Sequence, residues 1–191
     1  MKLNFLFLLL SLTVFTFSAC DDDDNDIVQD SLNYDGPNFT APFNSPGTTT
    51  FAAFFPESEV QEFTGRRLER ISFWLQSVPT ATEVIVFAEG ADTRTPGEEL
   101  YAIDLTQRVR TTGWVDHIIP GGIELDGRGI WLAVAAEAPE ARFQMMGCDE
   151  GRNYNPNGDR MLPPGGVWTS FNEITGSERI NWNIRGFLAD E

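Results

Sequence analysis

Lysine is nearly missing from this 191-residue chain. Lys2 is the only one, and the basic side chains, 13 in all, are otherwise arginines set against 29 Asp and Glu, for a formal charge of −16. Binding through phosphates needs a basic surface, so this balance disfavours nucleic acid and anionic headgroups as ligands. Histidine is limited to His117, between Asp116 and Ile118 in a strand-like stretch. A Ser-His-Asp triad would have to pass through that residue, and no Gly-x-Ser-x-Gly elbow occurs to supply its nucleophile. A zinc site of three protein ligands is equally short of donors unless carboxylates make up the set. The expectation is a protein without catalytic residues. A carboxylate-based glycoside hydrolase is the alternative enzyme reading, because such pairs are defined by distance in the fold and not by spacing in sequence.

Long apolar runs are lacking after residue 19. Before it, Lys2 is followed by an apolar stretch through Leu8, Leu9, Leu10, Leu12, Val14, Phe15 and Phe17, and the small Ser18 and Ala19 precede Cys20. This is the layout of a secretory signal. The run of about 17 residues sits at the lower limit for a membrane span. With Cys20 at the cleavage point the segment resembles the lipobox of bacterial lipoproteins, with Phe17 where leucine is commonest. The resemblance implies that residues 1–19 are removed, that Cys20 is acylated, and that the lipid bilayer is a partner through that cysteine. Each buried CH₂ contributes about 0.8 kcal/mol and stable anchoring takes about two chains, so the two or three acyl chains that the resemblance implies would hold the protein at its membrane. Cys148 is then left without an intrachain partner and is expected to be a small buried hydrophobe.

Asp21, Asp22, Asp23, Asp24 and Asp26 follow the cysteine directly. Such a block of like charge repels itself, so residues 20–48 are expected to form an acidic, disordered tether. The same run resembles the signal that sends some lipoproteins of Gram-negative bacteria to the outside of the outer membrane, with a periplasm-facing position as the alternative. Asp30-Ser31-Leu32 resembles a three-residue acceptor for O-glycosylation at Ser31.

Residues 49–191 read as one all-β domain. A bulky strand over 50–55 leads into a short helix over 56–63, with Pro56 at its first turn and Gly65 past its end. Over 68–77 the pattern alternates, with Ile71, Phe73 and Leu75 on one face and Arg70, Ser72, Trp74 and Gln76 on the other. Further strands are expected at 83–89, 100–105, 114–119, 130–136, 142–146, 166–170 and 180–188. About eight to ten short strands with one short helix and Gly and Pro turns argue an antiparallel β-sandwich. The order Ala52-Ala53-Phe54-Phe55, Phe63-Thr64-Gly65, Leu68-Glu69-Arg70-Ile71-Ser72-Phe73, Thr112-Gly113-Trp114, Gly129-Ile130-Trp131-Leu132-Ala133-Val134, Val167-Trp168 and Asn181-Trp182-Asn183-Ile184-Arg185 resembles a jelly-roll module attached to secreted peptidases and surface proteins of bacteria. That module is similar to carbohydrate-binding and adhesin-like sandwiches and implies an accessory, non-catalytic role.

Two kinds of site suggest themselves. The loop 149–159 is the oxygen-richest, and Asn153, Asn155, Asn157 and Gly158 echo the start of an EF-hand loop. Pro164 stands where the bidentate glutamate belongs, so the loop is expected to be an exposed Asn-Pro-Asn-Gly turn without cofactor; calcium held by Asp149, Glu150 or Asp159 is the alternative. The five tryptophans point to a ligand surface. Trp182 shares parity with Ile180 and Ile184 and belongs to the core, whereas Trp74 opposes its apolar neighbours and Trp131 has only small companions on its face. An indole in the open offers a plate for a sugar ring, with amides nearby to orient it. The expected ligand contacts are therefore Trp74, Trp131, Asn153 and Asn155. The functional expectation is a non-catalytic module that binds a glycan or another extracellular ligand, the alternative being a structural or adhesive part of a surface protein complex.

Overall fold

The computed structural model describes residues 31–189. The signal-like run, Cys20 and the acidic stretch lie outside the described residues. In chain order the strands are β1 (Ser31–Leu32), β2 (Phe43–Asn44), β3 (Gly47–Phe55), β4 (Arg67–Leu75), β5 (Thr82–Ala88), β6 (Glu99–Asp104), β7 (Gly113–Glu124), β8 (Ile130–Ala138), β9 (Phe143–Gln144), β10 (Arg160–Leu162), β11 (Thr169–Ser170) and β12 (Ile184–Leu188). Two short helices, α1 (Glu57–Val60) and α2 (Phe171–Thr175), interrupt them. No helix among the described residues is long and apolar enough to cross a membrane.

The strands form an antiparallel β-sandwich. One sheet runs β1-β12-β4-β7, the other β11-β10-β3-β8-β5-β6, and β2 pairs with β9 as a separate ribbon. Over the run from β3 to β8 only β5 and β6 follow each other within one sheet and every other step crosses the sandwich; β10 and β11 then extend the six-stranded sheet, and β12 returns beside β1. This is the wiring of a jelly roll. The alternation in β4 holds as expected, with Ile71, Phe73 and Leu75 buried between the sheets. Leu68 joins them despite the odd spacing because the register slips between Leu68 and Arg70, a bulge that resets which side faces inward. Trp182 is buried edge-on against Phe51, and its indole N–H donates to the Arg160 carbonyl at 2.9 Å.

The N-terminal boundary needs correction. Residues 31–48, expected as loose tether, are part of the sandwich: β1 pairs with β12, β2 pairs with β9, and Asp35 is buried. The segment shows no apolar periodicity because its order comes from polar contacts. The Asp35 carboxylate accepts from Arg185 Nη2 at 2.8 Å and from Asn183 Nδ2 at 2.7 Å, and the Phe39 amide donates to the Cys148 carbonyl at 2.9 Å. The helix α2 was also unforeseen. Ser170 and Glu173 close a capping box at its start, and Gly176 at φ 76° ends it in the left-handed region. Cys148 is buried as expected, and burial pushes its thiol pKa up to about 12.

Candidate functional site

The two sheets differ on their outer faces. Trp131, Ala133 and Ala135 point outward from β8, yet they are buried with Phe54 and Ile85 beneath Phe87, Ala102 and Trp168. Trp168 arrives on the segment between β10 and β11 and meets the Trp131 ring at 5.4 Å. Trp131 has no exposed surface, so the expectation that it contacts ligand is overturned: the segment before α2 roofs this face.

The four-stranded sheet carries no such roof. Register places Trp74 opposite Trp114, Ser72 between Asp116 and Arg185, and Arg70 between Ile118 and Phe187. Trp114 is 39% exposed and Ile118 70%. The rows are cross-linked by charge and ring. Arg70 pairs with Asp116 at 2.8 Å and lies 3.7 Å from the Phe187 ring centre, while the Ser72 hydroxyl donates to the same Asp116 oxygen. Burial works to raise the Asp116 pKa, but the Ser72 hydroxyl and Arg70 outweigh it and hold the carboxyl below the usual range. The Arg185 guanidinium lies 4.3 Å from the Trp114 ring centre, and Trp74 meets Trp114 edge-on at 5.8 Å. Two arginines offset Asp116 and Asp35 here, so this face is locally neutral in a strongly acidic chain.

Beside this face a cleft of about 290 Å³ opens between residues 34–39 and 149–153. Its walls are held by the polar side of the segment before β12. Asp149 Oδ1 accepts from the Asn181 amide at 2.7 Å and the Gly151 amide at 2.9 Å; Oδ2 accepts from Asn181 Nδ2 at 2.9 Å and the Gly36 amide at 3.1 Å. Asp35 is held by Asn183 and Arg185 as described. The alternation Asn181, Asn183, Arg185 thus clamps both walls, a role that the sequence pattern hid by resembling a solvent-facing side. The cleft meets the open face at Gly147. A Cβ there would lie 2.3 Å from Asn38 Oδ1, 2.5 Å from Trp74 Cδ1 and 3.0 Å from Asn183 Oδ1, so only glycine fits. Asn38 Oδ1, Asn183 Oδ1 and Trp74 Nε1 are buried and have no hydrogen-bond partner. Phe39, on the cleft wall, is 63% exposed.

Of the expected contacts, Trp74 and Asn153 are brought together around the cleft and its junction, while Asn155 serves the loop. Asn155 Oδ1 accepts from the Asn157 amide at 2.9 Å, and its own amide donates to Asn181 Oδ1 at 2.9 Å. Trp114, Phe39, Asn38 and Arg185 were missed; for Trp114 the signal was its alternation with Asp116 and Ile118 away from His117 and Ile119. Ser31 lies in β1, its hydroxyl donating to Asn33 Oδ1 at 2.9 Å. The oxygens weighed for calcium do not converge. Asp149 is filled by N–H donors, Glu150 pairs with Arg152 at 2.5 Å, and Asp159 Oδ2 accepts from the Asn172 amide at 2.9 Å. Among the described residues no group of three or more His, Cys, Asp or Glu side chains is placed to hold a metal. His117 faces inward from β7, and its Nε2 is 2.7 Å from the Tyr101 hydroxyl across the sandwich edge, where burial lowers its pKa.

No family model matches the sequence, and no curated protein matches it. Two solved structures are similar in fold. One contains the cysteine protease and lectin-like domains of a surface layer associated protein of Clostridium difficile, at 14% identity and a TM-score of 0.51 over 76% of this chain and 32% of that one. The other is a clostridial cysteine protease after propeptide cleavage, at 13% identity and a TM-score of 0.56 over 85% of this chain and 40% of that one. The chain therefore spans between a third and two fifths of the length of these neighbours, and what it shares with them is the sandwich fold.

Proposed function

We propose that the protein is a non-catalytic binding module for a glycan, held at the outer face of the cell envelope by acylated Cys20. The observation that carries this reading is the outer face of the four-stranded sheet, where Trp114, 39% exposed, stands beside Arg185 with the partly buried Trp74 edge-on to it. An indole with an exposed side favours stacking of a sugar ring, and the guanidinium beside it supplies a donor for ring hydroxyls. The likeness to structures that include lectin-like domains supports the same reading at the level of fold. A non-catalytic role is supported by the state of the titratable groups: His117 is tied to Tyr101, and the buried carboxylates of the cleft are taken up by N–H donors. The lipid anchor rests on the signal-like run and Cys20.

A glycan array probed with the full chain tests the proposal. Binding to a defined set of polysaccharides is expected, lost in Trp114→Ala; an array with no signal for the wild-type protein refutes it. The alternative of a structural or adhesive subunit draws on Ile118, 70% exposed on the long edge strand β7. Co-purification of a stoichiometric protein partner that Ile118→Asp abolishes, without glycan binding, would favour that alternative.

A further inference from the structure

We propose that Asp116 sets which sugars the Trp114 face takes: its free Oδ2 accepts a hydroxyl of the ring stacked on Trp114, so that the face takes neutral sugars and turns away acidic ones. This rests on the glycan reading above and adds to it a polar contact and the ligand's class. Trp114, Asp116 and Ile118 leave β7 on the same side, and the buried His117 between the last two turns inward. Residues two apart on a strand are separated by about 7 Å, so a single pyranose on the indole brings its hydroxyls to the carboxylate. The carboxylate is fixed there and only half used. Arg70 Nη1 donates to Oδ1 at 2.8 Å, and the hydroxyl of the buried Ser72 donates to the same oxygen. Oδ2 accepts no hydrogen bond from the described residues, and the side chain is 55% exposed.

Charge decides the class of sugar. Burial works to raise the Asp116 pKa, but Ser72 and Arg70 hold it down, and an ionised carboxylate accepts hydrogen bonds without donating any. A sugar hydroxyl is the matching donor, and a bond to a charged acceptor is of the stronger kind. Acidic sugars find no uncommitted cation on this face. Arg70 is taken up by Asp116 and the Phe187 ring, and Arg185 by Asp35 and the Trp114 ring. A uronate would also bring a second carboxylate up to Oδ2, in a chain of charge −16. A cationic sugar gains little, because Arg70 at 2.8 Å already offsets the charge of Asp116.

The test is calorimetric titration of the full chain with neutral gluco-, manno- and xylo-oligosaccharides and with oligogalacturonates. At least one neutral series is expected to bind, with oligogalacturonates at least ten-fold weaker. Asp116→Asn is expected to weaken the neutral series at least ten-fold without weakening oligogalacturonates, so that the preference narrows; damage to the fold would weaken both alike. Asp116→Glu keeps the charge but moves the oxygen, and is expected to weaken the neutral series while still rejecting oligogalacturonates. Equal or tighter binding of oligogalacturonates by the wild-type protein overturns the class. Wild-type affinity for the neutral series in both Asp116 variants, or a parallel loss for both kinds of sugar in Asp116→Asn, overturns the role of Asp116, and with binding lost in Trp114→Ala it leaves the glycan reading standing. Failure of the wild-type protein to bind any of these sugars overturns the two together.

Discussion

Trp131 and Trp114 both leave their strands on the side away from the inter-sheet core, and they end in opposite environments. Trp131 stacks on Phe54 at 4.8 Å beneath Trp168 and has no exposed surface; Trp114 stands at the sheet edge with a guanidinium on its ring. The difference is made elsewhere in the chain. The segment between β10 and β11 turns back over the six-stranded sheet, while the segments at 34–39 and 149–153 stop at the end of the four-stranded sheet and leave its middle bare. An aromatic on the outer face of a strand is thus core or surface according to where a distant loop lies.

The largest expected effect sharpens that contrast. Trp131→Ala should cost about 3–5 kcal/mol of stability, the usual range for emptying an aromatic site in a packed interior, read from chemical denaturation. The protein that remains folded should keep its affinity for glycan. A loss under about 1 kcal/mol would mean that the Trp168 roof opens readily and that the two faces are alike.

Next in size is the clamp that makes the cleft. Asp35 has a fully buried side chain paired with Arg185, whose own side chain is 29% exposed. Removing one member of a buried pair strands its partner, so Asp35→Ala should destabilise by about 3 kcal/mol and release residues 31–39 from the sheet. Proteolysis or amide exchange should show that segment opening first. If its protection is unchanged, backbone pairing of β1 with β12 holds the wall by itself.

That clamp marks where sequence reading stops. The principal strands were legible because β4, β5 and β8 alternate or run apolar between Gly and Pro turns, and Trp182 announced its burial through Ile180 and Ile184. The segment 31–48 was not, since a buried Asp35 looks the same on paper as the acids of the run before it. Asn181 and Asn183 misled for the same reason: amides on alternate positions imply a wet face, and here they are buried against Asp149 and Asp35. The site follows this division. Trp74 was visible as the odd aromatic on a polar side, whereas Phe39 lay in a stretch without periodicity, and its backbone is placed by a hydrogen bond to Cys148 more than a hundred residues away. The helix α2 was in principle readable from Ser170-Phe171-Asn172-Glu173, but Val167 and Trp168 just before it carry a strand signal.

A smaller effect depends on pH. Burial raises the Asp159 pKa to about 6, and its Oδ1 has no partner. A folded-state pKa above the unfolded one contributes stability that is complete below about pH 4 and lost as pH rises through 6. Burial also lowers the His117 pKa, which has the opposite sign: below about pH 6.5 the unfolded chain takes up a proton that the folded imidazole resists. Comparing wild type with Asp159→Asn cancels the histidine. The variant should gain on the order of 2 kcal/mol relative to wild type between pH 4 and pH 7, seen as a melting-temperature difference that moves in the variant's favour with rising pH. Parallel curves would show that Asp159 is ionised in both states across that range.

The smallest stability effect belongs to the residue with the largest expected functional one. Trp114 contributes a cation-π contact with Arg185 and an edge contact with Trp74, each of about 0.5–1 kcal/mol at a partly wetted site. Trp114→Ala should therefore lower stability by about 1 kcal/mol, because Arg185 keeps Asp35 as its partner when the ring is gone. Set beside Trp131→Ala, the two substitutions should separate fully, one costing stability without affinity and the other affinity with little stability. Should Trp114→Ala cost as much as Trp131→Ala in denaturation, the ring would be supporting the Arg185 clamp, and the open face would be structure in its own right and not a place for a ligand.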